Sequence, residues 1–339
     1  MSHSVTSAYS LDWAYAYGEP AVAGLFRRSH EDFQVVENLG FDLTGQGEHV
    51  YLHIEKQGEN TPWLARQIAR LAGVQNNDVG YAGLKDRHAV TRQWFSVYFP
   101  KGTEPDWSEL ETDTIQLLNV TRHSQKLRRG AHKSNHFVIR LHELEGDVSR
   151  LSERLQTVIA DGVPNYFGLQ RFGHDGNNLK EANRILVEGG RIGNRQKRGM
   201  MLSAARSYLF NQVLSARIHA GNWNTSLAGD VATDAETPAT GPLWGRGRPL
   251  VSDECLALEE GVLSQPEGWC DALEHVGLSQ ERRSLLLKPE GFEFSINGST
   301  LEVSFSLPPG TYATAVLREI ALLKESNMLK EMSAQEDMV

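Results

Sequence analysis

Apolar positions along the chain recur with two periods, and the switches between them lay out the elements. Residues 33–37 (Phe-Gln-Val-Val-Glu) read as a short strand, and Val50, Leu52 and Ile54 alternate with Tyr51, His53 and Glu55 as a second. Thr61-Pro62 predicts a helix start with a side-chain cap and a proline in its first turn; Leu64, Ile68 and Leu71 give one apolar face, and Gly73 ends it. Alternation returns at 93–99, 114–121 and 135–144, where Phe137, Ile139 and Leu141 share a face. Val148, Leu151, Leu155, Val158 and Ile159 predict a helix over 148–160, closed by Gly162 and Pro164. A helix over 179–188 stops at Gly189-Gly190, and Ser203 is read as the cap of a longer one running to His219. Residues 230–267 read as loop with short elements. Phe292, Phe294 and Ile296, then Leu301, Val303, Phe305 and Leu307, alternate on either side of Asn297-Gly298, which predicts a hairpin. The rigid stretch Leu307-Pro-Pro-Gly-Thr-Tyr312 then leads into a helix over 313–324. Strands and helices mixed in this way predict an α+β fold.

One segment breaks the periodic texture. Residues 80–96 leave a Val/Gly/Tyr/Ala run, pass through a polar elbow of Lys85, Asp86, Arg87 and His88, and re-enter a strand. Gly80 and Gly83 permit a tight turn and close approach to a ligand. Nearby cations favour an ionised Asp86. Two readings are open on this local chemistry: an ion-paired turn, or a carboxylate able to act as nucleophile or base on a phosphate-bearing substrate. Residues 165–173 (Asn-Tyr-Phe-Gly-Leu-Gln-Arg-Phe-Gly) likewise read either as a base-stacking segment or as a hinge whose aromatics anchor in a core, the reading preferred here.

Length and composition set outer bounds. At 339 residues the chain can form two domains. No apolar run approaches a membrane span and the first residues lack a basic flank followed by an apolar core, so a cytoplasmic protein is expected. Two cysteines, Cys255 and Cys270, make neither a disulfide framework nor a paired zinc signature. Among twelve histidines the only tight pair is His132 with His136, without converging ligands, so no metal is expected. The net charge of -9 argues against a nucleic-acid partner, but its distribution reverses the argument. Residues 121–140 hold six Lys/Arg and no acid, 189–229 hold six more and no acid, and 230–261 carry seven acids against Arg246 and Arg248. Such segregation fits a basic face for nucleic acid as well as a solvated face without a partner.

Gly83-Leu-Lys-Asp86-Arg-His-Ala-Val-Thr91 resembles the active-site motif of the TruD family of tRNA pseudouridine synthases. Glu31-Asp-Phe33, the stretch from Gly130 to Asn135-His-Phe137, Val163 to Gly168 with Gln170 to Gly173, Leu202 to Ser207, and Leu307 to Glu319 fit the same family in the same order. A lone Lys-Asp would carry no weight; six ordered motifs spanning about residues 24 to 322 do.

The resemblance implies an α+β pseudouridine-synthase catalytic domain with a central antiparallel sheet, at 1–160 and 306–339, interrupted by an α+β TRUD insertion domain at 161–305. Both chain ends are then expected in one domain, with the Pro-Pro-Gly loop facing the elbow. It further implies isomerisation of the uridine at position 13 of tRNA, without cofactor, with Asp86 as the essential carboxylate and a base flipped out of the RNA stack. A carboxylate can attack C1′ or deprotonate the sugar, and both routes are open. Phe33, Phe137 and Tyr312 match aromatic positions around the family's site and Asn135 offers donors and an acceptor to a uracil edge, while Arg27 and Lys85 supply charge. Ordinary core packing is the alternative for the aromatics, and a turn residue for Asn135. Two positions depart from the pattern: Arg27 stands where relatives carry Lys, and Tyr312 where some carry Phe. The rival from another class is an RNA-binding protein with a structural Asp86; a small-molecule phosphate enzyme is disfavoured because no phosphate-loop motif is present. tRNA is the expected partner and a monomer the expected state, since no coiled-coil heptad compels a dimer.

Overall fold

The computed structural model describes residues 9–232 and 239–325, so 326–339 of the expected catalytic segment lie outside the described residues. In chain order the strands and helices are β1 (Val22–Phe26), β2 (Phe33–Asn38), β3 (His49–Gln57), α1 (Thr61–Ala72), β4 (Val79–Tyr81), β5 (Val90–Tyr98), β6 (Ile115–His123) and β7 (Ser134–Gly146). There follow α2 (Leu151–Asp161), β8 (Val163–Pro164), α3 (Asn177–Leu186), α4 (Arg195–His219), β9 (Thr240–Leu243), α5 (Asp253–Leu263) and α6 (Trp269–Glu274). Last come β10 (Glu281–Ser284), β11 (Leu286–Leu287), β12 (Glu290–Asn297), β13 (Thr300–Leu307), α7 (Ala313–Ile320) and β14 (Leu322–Glu325).

The chain divides into two compact units. One, the sheet unit, comprises 21–152 and 289–310 with the C-terminal strand β14. Its ten-stranded sheet runs β12-β13-β7-β2-β5-β3-β6, with β1 on β7 and β14, and β4 on β5. Pairing is mostly antiparallel; β2 with β5 and β1 with β14 are parallel. Val50, Leu52 and Ile54 of β3, Phe95 and Val97 of β5, and Leu64 and Ile68 of α1 form its core under that helix. The expected period of α1 is borne out, and Gly73 closes it in the left-handed region (φ 65°), its N–H donating to Ala69 and Arg70 carbonyls. Thr61 is the first helical residue and not the cap: its hydroxyl donates to Gln93 Oε1 at 3.0 Å instead.

The other unit holds 9–20, 153–232, 239–288 and 311–320. It packs Trp13, Tyr166, Phe172 and Trp269 around the buried face of α4, which contributes Leu209, Phe210, Val213 and Leu214. Aromatics of the 165–173 segment are therefore core anchors, in line with the hinge reading.

Four boundaries differ from those read off the sequence. Helix α4 begins at Arg195, with Asn194 Oδ1 accepting from Lys197 N at 3.0 Å; its first four residues, Arg-Gln-Lys-Arg, are good helix formers, so Ser203 lies inside it. The acidic 230–267 stretch holds an 11-residue helix, α5. The last helix stops at Ile320 because Leu322–Glu325 pairs in parallel with β1, a tertiary contact that overrides local propensity. The hairpin 290–307 forms as expected, but β13 runs along β7 from Leu301↔Leu141 to Leu307↔Asn135, so the hairpin belongs with the sheet and not with the segment 161–305. Residues 9–20 and β14 fall in different units, so the two described ends do not share one. No helix among the described residues is long and apolar enough to cross a membrane.

Candidate active site

The elbow is the loop between β4 and β5, and its main chain is fixed by side chains from three neighbouring elements. Gln93 Nε2, on β5, donates to Gly83 O at 2.6 Å. Lys85 N donates to Thr61 Oγ1, at the start of α1, at 3.1 Å. Lys56 Nζ, near the end of β3, donates to Asp86 O at 3.2 Å. Gly80 is needed for a close approach, though not to a ligand: a Cβ there would overlap Leu127 O. Gly83 has ordinary space, since a Cβ there would meet His132 Cε1 and Lys85 Nζ at 3.6 Å.

The two elbow residues of greatest interest go different ways. Lys85 is buried and its ammonium pairs with Glu37 Oε2 at 2.5 Å; Glu37 Oε1 in turn accepts from Trp94 N at 3.1 Å. Asp86 keeps 34% of its side chain exposed and meets Arg27 Nη2 at 3.5 Å through Oδ2. Arg27 follows β1 in the left-handed region (φ 55°), a conformation unusual for a non-glycine residue and common at functional sites. Its guanidinium lies 4.1 Å over the Phe33 ring and 4.9 Å from that of Phe26, which gives it cation–π support on one side and a carboxylate on another. Burial lowers the Arg27 pKa and the Asp86 charge opposes that shift.

The remaining residues singled out from the sequence divide by unit. Phe33, 2% exposed, packs edge to face with Phe26 and with Phe137, and Phe137, 7% exposed, continues the row to Phe305 at 5.7 Å. Alternation on β7 puts Asn135 on the same face as Phe137, and its Nδ2 lies 3.1 Å from His132 Nε2. Burial, reinforced by the Lys85 charge, pulls His132 down to about 4, so it is a neutral imidazole accepting that bond at neutral pH. Asn135 Oδ1 is buried without a protein partner among the described residues. Tyr312 belongs to the other unit, where its hydroxyl accepts from Arg171 Nη2 at 2.8 Å and its ring meets Phe167. His136 bonds Ser306 rather than joining His132, and no group of three potential metal ligands occurs among the described residues.

The roles of Glu37, Lys56, Thr61, Gln93 and His132 escaped the sequence reading. A signal was present for three of them: Glu37, Lys56 and Gln93 occupy inward register positions otherwise held by Phe33 and Val35, by Val50 to Ile54, and by Phe95 and Val97. A polar residue at such a position must find a partner.

The chain matches the family described as tRNA pseudouridine synthase D (TruD) over residues 13–193 and 233–320. A tRNA pseudouridine synthase D of Cellvibrio japonicus (strain Ueda107) is 53% identical over 96% of this chain and 97% of its own. That of Methylococcus capsulatus (strain Bath) is 48% identical over 91% and 94%. In fold, a crystal structure of a candidate TruD protein from Methanosarcina mazei superposes with a TM-score of 0.67 at 23% identity, covering 91% of this chain and 95% of that one. With the family matched over most of its length and relatives close to half identical across the whole, the chain belongs to the TruD family of tRNA pseudouridine synthases.

Proposed function

We propose that this protein isomerises the uridine at position 13 of tRNA to pseudouridine, with Asp86 as the catalytic carboxylate acting on a flipped-out base. The observation that carries the reading is the pair Arg27–Asp86: a partly exposed carboxylate on a loop anchored at Gly83, Lys85 and Asp86, faced by a guanidinium that is itself held over Phe33. Isomerisation breaks the bond from uracil N1 to C1′, rotates the base and forms a bond from C5 to C1′; the C5 proton leaves and N1 gains one, so no oxidant, reductant or group donor is consumed. A carboxylate is suited to the step at the sugar as nucleophile or as base.

The neighbours divide the remaining work. Asn135, with its unpartnered Oδ1, offers an acceptor to a uracil N–H. Phe137 supplies an apolar wall and Phe33 the platform under Arg27, while Lys85 locks the loop to β2 through Glu37. Tyr312 is proposed as a further aromatic contact to the substrate. The sheet unit is read as catalytic and the unit built on α4 as the family's insertion. Flipping costs a few kcal/mol, which stacking on aromatic rings at about 1–3 kcal/mol per base offsets.

Asp86→Asn tests the assignment. Pseudouridine formation in unmodified tRNA should vanish while tRNA binding stays within a few-fold; product at the parental rate would sink it. Mapping pseudouridines in tRNA from cells lacking the protein tests the position, with loss at 13 alone expected.

A further inference from the structure

Lys56 has no part in the chemistry assigned to Asp86, yet it is a fully buried cation in the sheet unit. It lies on the inward face of β3 in register with Val50, Leu52 and Ile54, and is 0% exposed. A lysine so placed ordinarily pairs with a carboxylate. Here the ammonium donates to two main-chain carbonyls, Glu59 O at 2.7 Å and Asp86 O at 3.2 Å. Burial pulls the amine down to about 8, opposed by the charges of Asp86 and Glu59 and assisted by that of Lys85. If packing alone were at stake, methionine would fill the same volume without that desolvation cost.

The second of those carbonyls belongs to the catalytic residue itself. Lys56, Thr61 and Gln93 together engage main-chain groups of residues 86, 85 and 83, and Thr61 Oγ1 also donates to Gln93 Oε1, so two of the three supports are tied to each other. Of these three, Lys56 alone acts on Asp86 directly. We propose that Lys56 is a positioning residue for Asp86, fixing its carbonyl so that the carboxylate stays beside Arg27 while a base enters. The inference rests on the reading of Asp86 as the catalytic carboxylate.

The test uses the full chain and an unmodified tRNA transcript, comparing Lys56→Met, Lys56→Gln and Asp86→Asn with the parent. Single-turnover rates at saturating enzyme are read alongside tRNA Kd and the thermal melt. Lys56→Met should slow the rate on the order of 10²-fold with Kd within about threefold, because a misplaced reacting group loses rate and not binding. Lys56→Gln, with two amide donors on a shorter arm, should be slower than the parent and faster than Met. A folded Lys56→Met at the parental rate, or one whose Kd worsens as much as its rate, overturns the inference. If Lys56→Met does not fold, Lys56→Gln decides: a parental rate overturns the inference and a slowed rate at unchanged Kd supports it. Product formation by Asp86→Asn would defeat the underlying reading; an inactive Asp86→Asn beside a parental Lys56→Met would defeat the positioning role alone.

Discussion

Arg27 Nη2 stands 3.5 Å from Asp86 Oδ2 while the face of the same guanidinium covers the Phe33 ring at 4.1 Å. Ring and carboxylate hold the cation from two directions. The carboxylate, 34% exposed, stays within reach of a substrate while its counter-charge is fixed.

Removing that charge should slow catalysis. A hydrogen bond to a charged group is worth about 1.5–3 kcal/mol, and each 1.4 kcal/mol is about tenfold in rate. Arg27→Ala is expected to lower kcat by roughly 10- to 100-fold, and Arg27→Lys, which keeps the charge but not the planar stacking, by less than about tenfold. Steady-state kinetics on unmodified tRNA measure both; an Ala variant as fast as the parent would remove Arg27 from the site.

The ring row is a matter of stability first. Phe33→Ala and Phe137→Ala each open a hole in a buried stack and should cost about 3–5 kcal/mol. Tyr312→Phe removes only the bond from Arg171 and should cost about 1 kcal/mol. Urea unfolding distinguishes the two classes.

His132 gives a pH dependence of definite sign. Its pKa is depressed from 6.5 to about 4, so the unfolded chain binds more protons in between, and stability from this group is full above 6.5 and lost as pH falls through 4. Protonation also turns the acceptor of the Asn135 bond into a donor. Unfolding free energies between pH 4 and 7 should fall less steeply for His132→Gln than for the parent; identical slopes would contradict the assignment.

Charges in the basic run 121–140 are not equally available to RNA. Arg122 pairs with Glu104 and Arg140 with Glu302, Lys126 donates to Asn77 O, and the Arg129 guanidinium lies 4.0 Å over Tyr81. Arg128 and Lys133 are exposed, and Arg129 is exposed too despite its ring contact. Replacing Arg128 or Lys133 by Ala should weaken tRNA binding and lower the salt slope by about one for each phosphate no longer neutralised. Arg122→Ala should change stability and leave the slope alone.

How much could be read beforehand depended on whether a residue's partner was local. Val50 to Ile54, Leu64 to Leu71 and the hairpin about Asn297-Gly298 carry their own period, and each forms where expected. The ends of α4 and α7 do not: a cap at Asn194 and a strand partner in β1 decided them. Asp86 was visible from its motif and Arg27 from its place in another, but their contact depends on a backbone turn at φ 55° that no spacing announces. Glu37, Lys56 and Gln93 continue the inward alternation of their strands and so were legible as buried polar positions, but the partner of each lies on another segment that no alternation names.

The chain passes between its two units at residues 20, 152, 288, 310 and 320. Neither unit can therefore be excised as one continuous stretch. A fragment ending at 152 would keep β1 and β7 but lack β14 and β13, leaving both with unpaired edges and an invitation to aggregate. During synthesis, then, the ribosome must release the chain as far as β14 before the sheet that carries the Asp86 loop can be finished.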